Sequence, residues 1–356
     1  MKFSLALPLL FASVSATPIC DDAQRSSFPK FCDLLDLASS NEASLADDLF
    51  ALPWAAIQKE LDVEAVEERR LEEGESALPI VVAHGMGDSC FNRGMKSIVD
   101  ATSKKVGSYA TCIPTGSTRI KDTINGFLLN MDASVDVFAE GVKADPNLAD
   151  GFNAYGLSQG NNLIRGYIQK YHTQDGYPKV NTFMSICGIN AGVGAFPNCN
   201  PEDHKVCAGL TEVLGDLAYN EFVQGILFQA NYFRDPSKTD SASYKKHSQI
   251  AQWENEGDDV QESRNEGFGM TSKYVWVLGT EDTVVWPREG EVWGAMDPSD
   301  PFSTKLAYNE TNWYKEDTFG LRKADEEGKH NWESFDGEHI QFTQAELMGW
   351  LEKYFM

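Results

Sequence analysis

The sequence predicts an α/β protein whose mainly parallel central sheet is covered by helices on both faces. Short, continuous apolar runs recur from Leu78 onward, as expected of strands that are buried on both faces. Segments with apolar residues at helical spacing lie between these runs. The runs are LPIVVAHG from residue 78, SYATCIP from 108, FNAYG from 152, NTFMSICG from 181 and KYVWVLG from 273.

Residues 1–16 have the pattern of a signal peptide. An apolar run from Leu5 to Ala12 follows Lys2, and Val14-Ser15-Ala16 supplies the small residues at which a signal peptidase cleaves. We therefore expect export into the secretory pathway and a mature chain that begins near Thr17. No later window reaches the roughly 18 apolar residues of a membrane-spanning helix, so no transmembrane segment is expected. Asn309 begins the one N-x-S/T sequon and is expected to be glycosylated in a surface loop.

An acidic N-terminal segment, residues 17–76, precedes the predicted α/β domain at residues 77–356. The segment is rich in helix formers and ends in the polar stretch VEAVEERRLEEGES. Three interpretations stay open: a pro-segment, a small helical appendage tied together by Cys20 and Cys32, or a loosely attached tail. No function is assigned to this segment.

The charge balance excludes one class of partner. The chain has 54 acidic and 30 basic side chains, which gives a formal net charge of −24. Such a field repels phosphodiester backbones, and no polybasic run is present for anionic lipid. We therefore expect no nucleic-acid partner, and we interpret the charge as a contribution to solubility.

The seven cysteines are expected to form disulfides in an oxidising compartment, with at least one thiol left over. Cys187 is the candidate for that free thiol. The sequence does not fix the connectivity, and it contains neither a CxxC motif nor clustered histidines, so no metal site is expected. The candidate pairs are Cys20 with Cys32, Cys199 with Cys207, and Cys90 with Cys112, which would join two neighbouring strand–helix units.

The stretch GLSQG at residues 156–160 is the first candidate for catalytic chemistry. Three fixed positions are weak support alone, but here the stretch joins the FNAYG strand to the helical segment NNLIRGYIQKYH. A nucleophile elbow has this context: Ser158 would occupy a strained turn, and glycines two residues away on either side would relieve crowding. We therefore interpret Ser158 as a nucleophile at the N-terminus of a helix.

In this type of fold the acid and then the histidine follow the nucleophile along the chain. Asp282 comes just after the KYVWVLG strand, where a carboxylate can reach over the sheet edge. Glu281 is its immediate rival, and the acids from Glu289 onward are weaker ones. Only two of the six histidines follow Asp282. His330 lies in a turn that leads into a strand, whereas His339 lies in the terminal loop that holds the base, so His339 is preferred.

A hydrolytic triad also needs two backbone donors for the oxyanion. One donor is expected from Gln159, the residue after the nucleophile, and the other from the loop HGMGDS after the first strand. Met86 is the candidate in that loop, because the glycines beside it let the backbone approach a substrate closely. His84 is interpreted as a loop-stabilising residue.

These motifs resemble the palmitoyl-protein thioesterase family of the α/β-hydrolase superfamily, and its type 1 branch more than type 2. The likeness extends from about Leu78 to the C-terminus. HGMGDSC, QANYFRDP, LGTEDTVVWP and DGEHIQF carry it, together with the GLSQG region, and they are more specific than GxSxG. The resemblance implies an α/β-hydrolase fold. It also implies these roles: nucleophile Ser158, acid Asp282, base His339, and oxyanion donors Met86 and Gln159.

The resemblance bears on the cysteines as well. It implies a disulfide between Cys199 and Cys207, because the family has a pair at those places. The family also has a second cysteine directly after GDSC, where this chain has Phe91. Cys90 must therefore find another partner, and Cys112 becomes the better candidate.

A mostly helical insert at about residues 190–272 corresponds to the family's lipid-binding subdomain. Residues 206–233 carry enough apolar side chains for two helices, although ordinary core packing also explains such a stripe. A groove beside the insert holds the acyl chain in the family. Burying a palmitoyl chain at roughly 0.8 kcal/mol per methylene contributes about 10 kcal/mol before losses, which favours long acyl groups. The groove candidates are Val284, Val285, Phe222 and Ile226.

The resemblance implies a hydrolase that removes thioester-linked palmitate from cysteines of S-acylated proteins or peptides. An acyl-enzyme forms on the way, and no cofactor or metal is needed. Acyl-CoA is a further candidate substrate. Two alternatives stay open: a lipase or carboxylester hydrolase with the same triad, and an inactive lipid-binding protein. The expected location is a lysosome or vacuole, with secretion as the alternative.

Overall fold

The computed structural model describes residues 20–45, 77–195, 214 and 217–356 of the chain. Three features predicted from sequence lie outside these residues. They are the signal peptide, the Cys199–Cys207 pair and the polar stretch before residue 77.

The described residues contain a six-stranded parallel sheet and a short antiparallel pair. The strands are β1 (Ile80–Ala83), β2 (Ala110–Cys112), β3 (Phe152–Leu157), β4 (Val180–Ile186), β5 (Lys273–Gly279), β6 (Ala295–Met296), β7 (Lys305–Leu306) and β8 (His330–Phe335). The large sheet has the order β2-β1-β3-β4-β5-β8, and every neighbouring pair in it is parallel. Each predicted apolar run overlaps one of β1 to β5, with ends that agree to within a few residues, so these strand predictions are confirmed.

Helices cover the sheet on both faces. The α-helices of the described residues are α1 (Asp22–Ser27), α2 (Pro29–Ser40), α3 (Arg93–Val106), α4 (Arg119–Leu128), α5 (Met131–Ala144), α6 (Gly160–Tyr171), α7 (Glu221–Gln224), α8 (Phe228–Asn231), α9 (Ala242–His247), α10 (Gln249–Trp253), α11 (Glu262–Met270), α12 (Asn312–Lys315), α13 (Leu321–Glu326) and α14 (Gln344–Phe355). Helices α3 and α14 pack on one face, and α5, α6 and α11 pack on the other. The predicted α/β-hydrolase class, with a parallel sheet between two helical layers, is confirmed.

Two hydrophobic cores result, one on each face of the sheet. Val81 and Ala83 of β1 belong to the core beneath α5 and α6, whereas Ile80 and Val82 belong to the core beneath α3 and α14. Successive side chains of a strand point to opposite faces, so a strand that lies between two helical layers needs apolar residues at every position. This requirement explains why the parallel strands are continuous apolar runs in the sequence.

The start of α14 fixes the end of the loop that precedes it. The Thr343 hydroxyl accepts a hydrogen bond from the Glu346 backbone N–H, and the Glu346 carboxylate accepts one from the Thr343 N–H at 2.6 Å. This reciprocal capping satisfies two backbone donors that a helix start leaves unpaired. The terminal loop therefore ends at a defined position.

The described part of the N-terminal segment is a helical appendage that packs onto the insert. A disulfide joins Cys20 to Cys32 of α2. Phe28 and Phe31 lie with their ring centroids 6.1 and 6.2 Å from that of Phe222, and their side chains are buried. Residues 20–45 are therefore part of the packed structure and not a loose tail.

The described part of the predicted insert consists of short helices. Residues 206–213 and 215–216 of the stretch that predicts two helices lie outside the described residues, and its described part from residue 217 contains the single-turn helices α7 and α8. No helix in the described ranges combines the length and the apolar character that a bilayer span requires.

A second disulfide joins Cys90, in the segment between β1 and α3, to Cys112 of β2. Cys187, at the end of β4, is a buried free thiol. Both observations agree with the pairing that the sequence favoured without fixing.

We predict that replacing both Cys90 and Cys112 by serine lowers the free energy of unfolding by about 3 kcal/mol. The bridge closes a loop across a sequence separation of 22, and its loss restores conformational entropy to the unfolded chain. Urea denaturation of the oxidised parent and of the variant measures the difference. An unchanged denaturation midpoint would contradict the prediction.

Candidate active site

Ser158 occupies the sharp turn between β3 and α6. Its φ of 53° lies in the left-handed region, which is uncommon for a residue with a side chain. The Ser158 backbone N–H donates to the Ile186 carbonyl at 3.0 Å. The Asn161 side-chain amide donates to the carbonyls of Ser158, at 2.9 Å, and of Ile186, at 3.1 Å. These bonds hold the strained turn against the neighbouring strand.

The two glycines of GLSQG are required by close backbone contacts. A Cβ at Gly156 would overlap the backbone and side chain of Asn161, and a Cβ at Gly160 would overlap the carbonyl groups of Ala83 and His84. The turn from β3 into α6 can therefore lie against the end of β1 only if both positions lack side chains. The sequence pattern thus has a steric cause in this fold.

The structure brings Ser158, His339 and Asp282 into one hydrogen-bonded line. His339 Nε2 lies 2.8 Å from Ser158 Oγ, and His339 Nδ1 lies 2.5 Å from Asp282 Oδ2. The other Asp282 oxygen accepts the backbone N–H groups of Val284, at 2.7 Å, and Val285, at 2.9 Å. All three side chains of the line are buried. This order is the one that nucleophilic catalysis by a serine requires.

The loop that carries Asp282 is bonded directly to the loop that carries His339. The Glu281 N–H donates to the Gly337 carbonyl at 3.0 Å, and the Thr283 N–H donates to the Glu338 carboxylate at 3.0 Å. The two loops therefore hold the acid and the histidine in register with each other.

Asp282 is an anion in this site. Burial alone would raise the pKa of its carboxyl group, but the hydrogen bond from His339 and further donors, which include the Val285 N–H, lower that pKa to about 2. The carboxylate accepts the Nδ1–H of His339, which leaves Nε2 as the acceptor for the Ser158 hydroxyl. The arrangement can therefore remove a proton from Ser158.

Glu281 and His330, the rivals of Asp282 and His339, lie outside the hydrogen-bonded line. Glu281 is exposed to solvent. His330 Nδ1 accepts a hydrogen bond from Trp276 Nε1 at 2.9 Å, and its Nε2 lies 3.0 Å from the Leu321 carbonyl oxygen. Its ring lies among aromatic side chains in the sheet. His330 is thus a histidine with both nitrogens in use in the core.

Met86 and Gln159, the candidate oxyanion donors, lie close together. The Tyr232 hydroxyl lies 3.9 Å from Met86 Sδ and donates to Gln159 Oε1 at 2.9 Å. A Cβ at Gly126 would touch both Gln159 Nε2 and the Gly87 backbone nitrogen. The loop after β1 and the start of α6 therefore border the same small space beside Ser158.

A buried aspartate that sequence reasoning missed holds the loop after β1. Asp122, on α4, accepts hydrogen bonds from Ser89 Oγ and from the Cys90 N–H, both at 2.9 Å. It also accepts the Thr115 N–H, at 2.7 Å, from the loop after β2. His84 Nε2 lies 3.2 Å from its carboxylate. A single carboxylate thus connects the Met86 loop to α4 and β2.

His84 is a stabilising cation in this arrangement. Burial alone would lower its pKa, but the hydrogen bond and charge of Asp122 raise it to about 9. The pKa of Asp122 is lowered in turn, since burial opposes ionisation but His84 and the surrounding donors favour it. The interpretation of His84 as a loop-stabilising residue agrees with these contacts.

The four groove candidates differ in burial and in the contacts that they make. Val285 is buried and Val284 is half-buried, and the backbone amides of both bond to Asp282. Phe222 packs against the N-terminal helices, and Ile226 is a partly buried residue at the edge of the same core. A cavity of about 650 Å³ beside Arg234 and Trp313 includes none of them. Asn309, the candidate glycosylation site, is exposed.

The chain is similar to one protein family over most of its length. The family model described as palmitoyl protein thioesterase matches residues 79–339. Palmitoyl-protein thioesterase 1 from Caenorhabditis elegans is 32% identical over 282 residues, which cover 78% of this chain and 92% of that protein. Palmitoyl-protein thioesterase 3 from Dictyostelium discoideum is 29% identical, over 56% of this chain and 65% of that protein.

Two solved structures show a weak similarity to this chain. Zea mays acyl-protein thioesterase 2 has a TM-score of 0.34 and 13% identity, over 80% of this chain and 96% of that chain. The carboxylesterase EstE1, cloned from a metagenomic library, has a TM-score of 0.39 and 12% identity, over 88% of this chain and 91% of that chain. Similarities at this level carry no functional argument.

We predict that Asp122→Asn destabilises the fold by about 3–5 kcal/mol at pH 6, because it leaves the His84 charge buried without a partner. The folded parent keeps the His84 proton up to about pH 9, whereas the unfolded chain loses it near pH 6.5. The stability that this pair contributes is therefore full below pH 6.5 and is lost as the pH rises through 9, by about 3 kcal/mol.

Chemical denaturation between pH 6 and 9.5 measures the effect. The difference between the parent and Asp122→Asn should shrink with rising pH. Asp136→Asn is the matched control, since the Asp136 side chain is 49% exposed and its ion pair with Lys170 contributes less than about 1 kcal/mol. A difference that is small at pH 6, or independent of pH, would show that Asp122 does not hold His84 as a cation.

Proposed function

Because the chain belongs to the palmitoyl-protein thioesterase family, we propose that it hydrolyses thioesters that join long-chain fatty acyl groups, such as palmitate, to cysteines of proteins or peptides. One observation carries the proposal: the hydrogen-bonded line of Ser158, His339 and Asp282, with Ser158 in a strained turn between strand and helix. Acyl-CoA, which has the same bond, is a further candidate substrate.

The reaction proceeds in two halves. His339 Nε2 takes the Ser158 proton as Ser158 Oγ attacks the thioester carbonyl carbon. The tetrahedral intermediate collapses, the C–S bond breaks, and the departing cysteine sulfur takes the proton from His339, which restores the neutral base. A water molecule then attacks the acyl carbon as His339 takes its proton. The bond between that carbon and Ser158 Oγ breaks, His339 returns the proton to Ser158 Oγ, and the fatty acid is released.

The proposed oxyanion donors are the backbone N–H groups of Met86 and Gln159. Gln159 directly precedes α6, so its amide belongs to the helix start, where backbone donors point outward. Met86 lies in the loop that Asp122 holds in place. Donors fixed before the reaction stabilise the developing negative charge without a reorganisation cost, which is the main benefit of such a site.

We further propose that the segment at about residues 190–272 is a lipid-binding subdomain. The acyl groove would run past Val284 and Val285 towards Phe222 and Ile226. The Phe222 ring contacts Phe28 and Phe31, so a chain that reached it would lie beside the N-terminal helices. The proposed setting is the secretory pathway, with a lysosome or vacuole as the destination, and the disulfides agree with an oxidising compartment.

We predict that Ser158→Ala lowers kcat for an S-palmitoyl peptide by about 10⁶-fold, because no other group can form the acyl-enzyme. Asp282→Asn should lower kcat by about 10⁴-fold through the wrong histidine tautomer. Release of free thiol from the peptide measures both. Glu281→Gln, at the exposed neighbouring acid, is the control and should keep most of the activity. Normal turnover by Ser158→Ala would refute the proposed nucleophile.

We also predict a preference for thioesters over oxygen esters of the same acyl chain. A thiolate leaves more readily than an alkoxide, so the site needs little help from an acid. The measurement is kcat/KM for matched S-acyl and O-acyl substrates with chains of 8 to 16 carbons. The series spans several methylenes because each buried methylene contributes about 0.8 kcal/mol. Higher values for the oxygen esters would favour a carboxylester hydrolase instead.

A further inference from the structure

Glu291 is a fully buried carboxyl group directly behind the triad acid. It lies on the 3₁₀ turn Arg288–Val292, which follows the Asp282 loop. Its Oε2 accepts the Gly279 N–H at 3.0 Å, and its backbone carbonyl accepts the Asn190 side-chain amide at 2.6 Å. The side chain is therefore anchored at the carboxyl end of β5 and cannot turn towards solvent.

The carboxyl group of Glu291 faces three titratable groups from three other segments. They are Asp282 from the loop after β5, His339 from the loop before α14, and Cys187 from the end of β4. One ligand atom from each of these four residues lies within 4.8 Å of the others. On its own turn, Arg288 donates to the Thr280 carbonyl, and Glu289 pairs with Lys305.

No lysine or arginine within the described residues forms an ion pair with Glu291. Two carboxyl groups in contact inside a protein cannot both be ionised without a cation between them. Asp282 has two backbone N–H donors and His339, so it holds the negative charge. Glu291 has one backbone donor, on Oε2, and beyond it only the weak donor of the Cys187 thiol.

We propose that Glu291 is a positioning residue that stays protonated and donates a hydrogen bond from its carboxyl group to the Asp282 carboxylate. This inference rests on the proposed function, since it assigns a partner to the triad acid. Burial and the charge of Asp282 raise the pKa of Glu291 well above its usual range, which agrees with the geometry. Burial and the neighbouring carboxyl groups raise the pKa of Cys187 as well, so its thiol is neutral.

The added donor fixes the rotation of the Asp282 carboxylate. With Val284 and Val285 on one side and Glu291 on another, Oδ2 stays directed at His339 Nδ1. If Glu291 lost its proton, a second negative charge would stand beside Asp282, and the two groups would repel each other. Activity should therefore fall on the alkaline side as Glu291 ionises.

Two substitutions separate the proton from the side chain. In Glu291→Gln the amide oxygen can accept the Gly279 N–H and the NH₂ group can donate to Asp282, as the protonated acid does. We expect this variant to keep kcat within about threefold of the parent and to lose the alkaline decline that Glu291 causes. Glu291→Ala should lower kcat by about 10–100-fold with little change in KM. Glu281→Gln, at the exposed acid directly before Asp282, is the matched control.

A stability measurement tests the protonation without any use of activity. The unfolded chain ionises this residue near pH 4.5, whereas the folded protein keeps the proton to higher pH. The parent should therefore lose stability relative to Glu291→Gln as the pH rises above 4.5, while Glu281→Gln should show no such trend.

The outcomes distinguish the two proposals. A loss of kcat in Glu291→Gln as large as in Glu291→Ala, or a pH-independent stability difference between the parent and Glu291→Gln, overturns the inference. If the parent hydrolyses no thioester, or Ser158→Ala hydrolyses it normally, the proposed function fails. The stability series still decides whether Glu291 is protonated in that case, and also if Glu291→Ala does not fold.

Discussion

The hydrogen bond between His339 and Asp282 is the interaction on which the rest of the site depends. It spans two loops that are 57 residues apart in sequence. Parallel strands deliver both loops, and the Ser158 turn, to one edge of the sheet, because the carboxyl ends of parallel strands lie on the same side. Bonds between the Asp282 loop and the His339 loop then fix the short distance. The sheet therefore selects which residues meet, and the loops set how closely they meet.

Three buried carboxyl groups, those of Asp122, Asp282 and Glu291, differ in charge because they differ in the donors that reach them. Asp122 receives hydrogen bonds from two loops and lies beside the His84 cation, so it is ionised. Asp282 receives two backbone N–H groups and His339. Glu291 receives one backbone N–H and faces an anion, so the same chemical group is neutral there. The hydrogen-bond donors around each of these carboxyl groups, more than its burial alone, decide whether the group is ionised or neutral.

The apolar runs predict β1 to β5, and the order of the motifs identifies Ser158, Asp282 and His339 as candidates, whereas the short strands β6 and β7 have no such signal. Those predictions depend on local patterns: continuous burial in a parallel strand, and glycines at a crowded turn. Asp122 and Glu291 have no such local signature. Asp122 bonds to residues about 32 positions earlier, and its role follows only from the way α4 packs. The apolar character of Phe222 makes it a groove candidate, but that character alone does not tell whether its ring contacts a ligand or the N-terminal helices.

The insert and the oxyanion region are joined through polar side chains as well as through apolar packing. Gln229, on α8, donates to Gln159 Oε1 and to the Gly126 carbonyl, both at 2.9 Å, and Tyr232 donates to the same Gln159 oxygen. The Gln159 amide group in turn donates to the Gly126 carbonyl at 2.8 Å. Unpaired polar groups are costly in a buried site, so the position of α8 is tied to the position of Gln159. A movement of α8 that made room for an acyl chain would therefore act directly on the residue that follows the nucleophile.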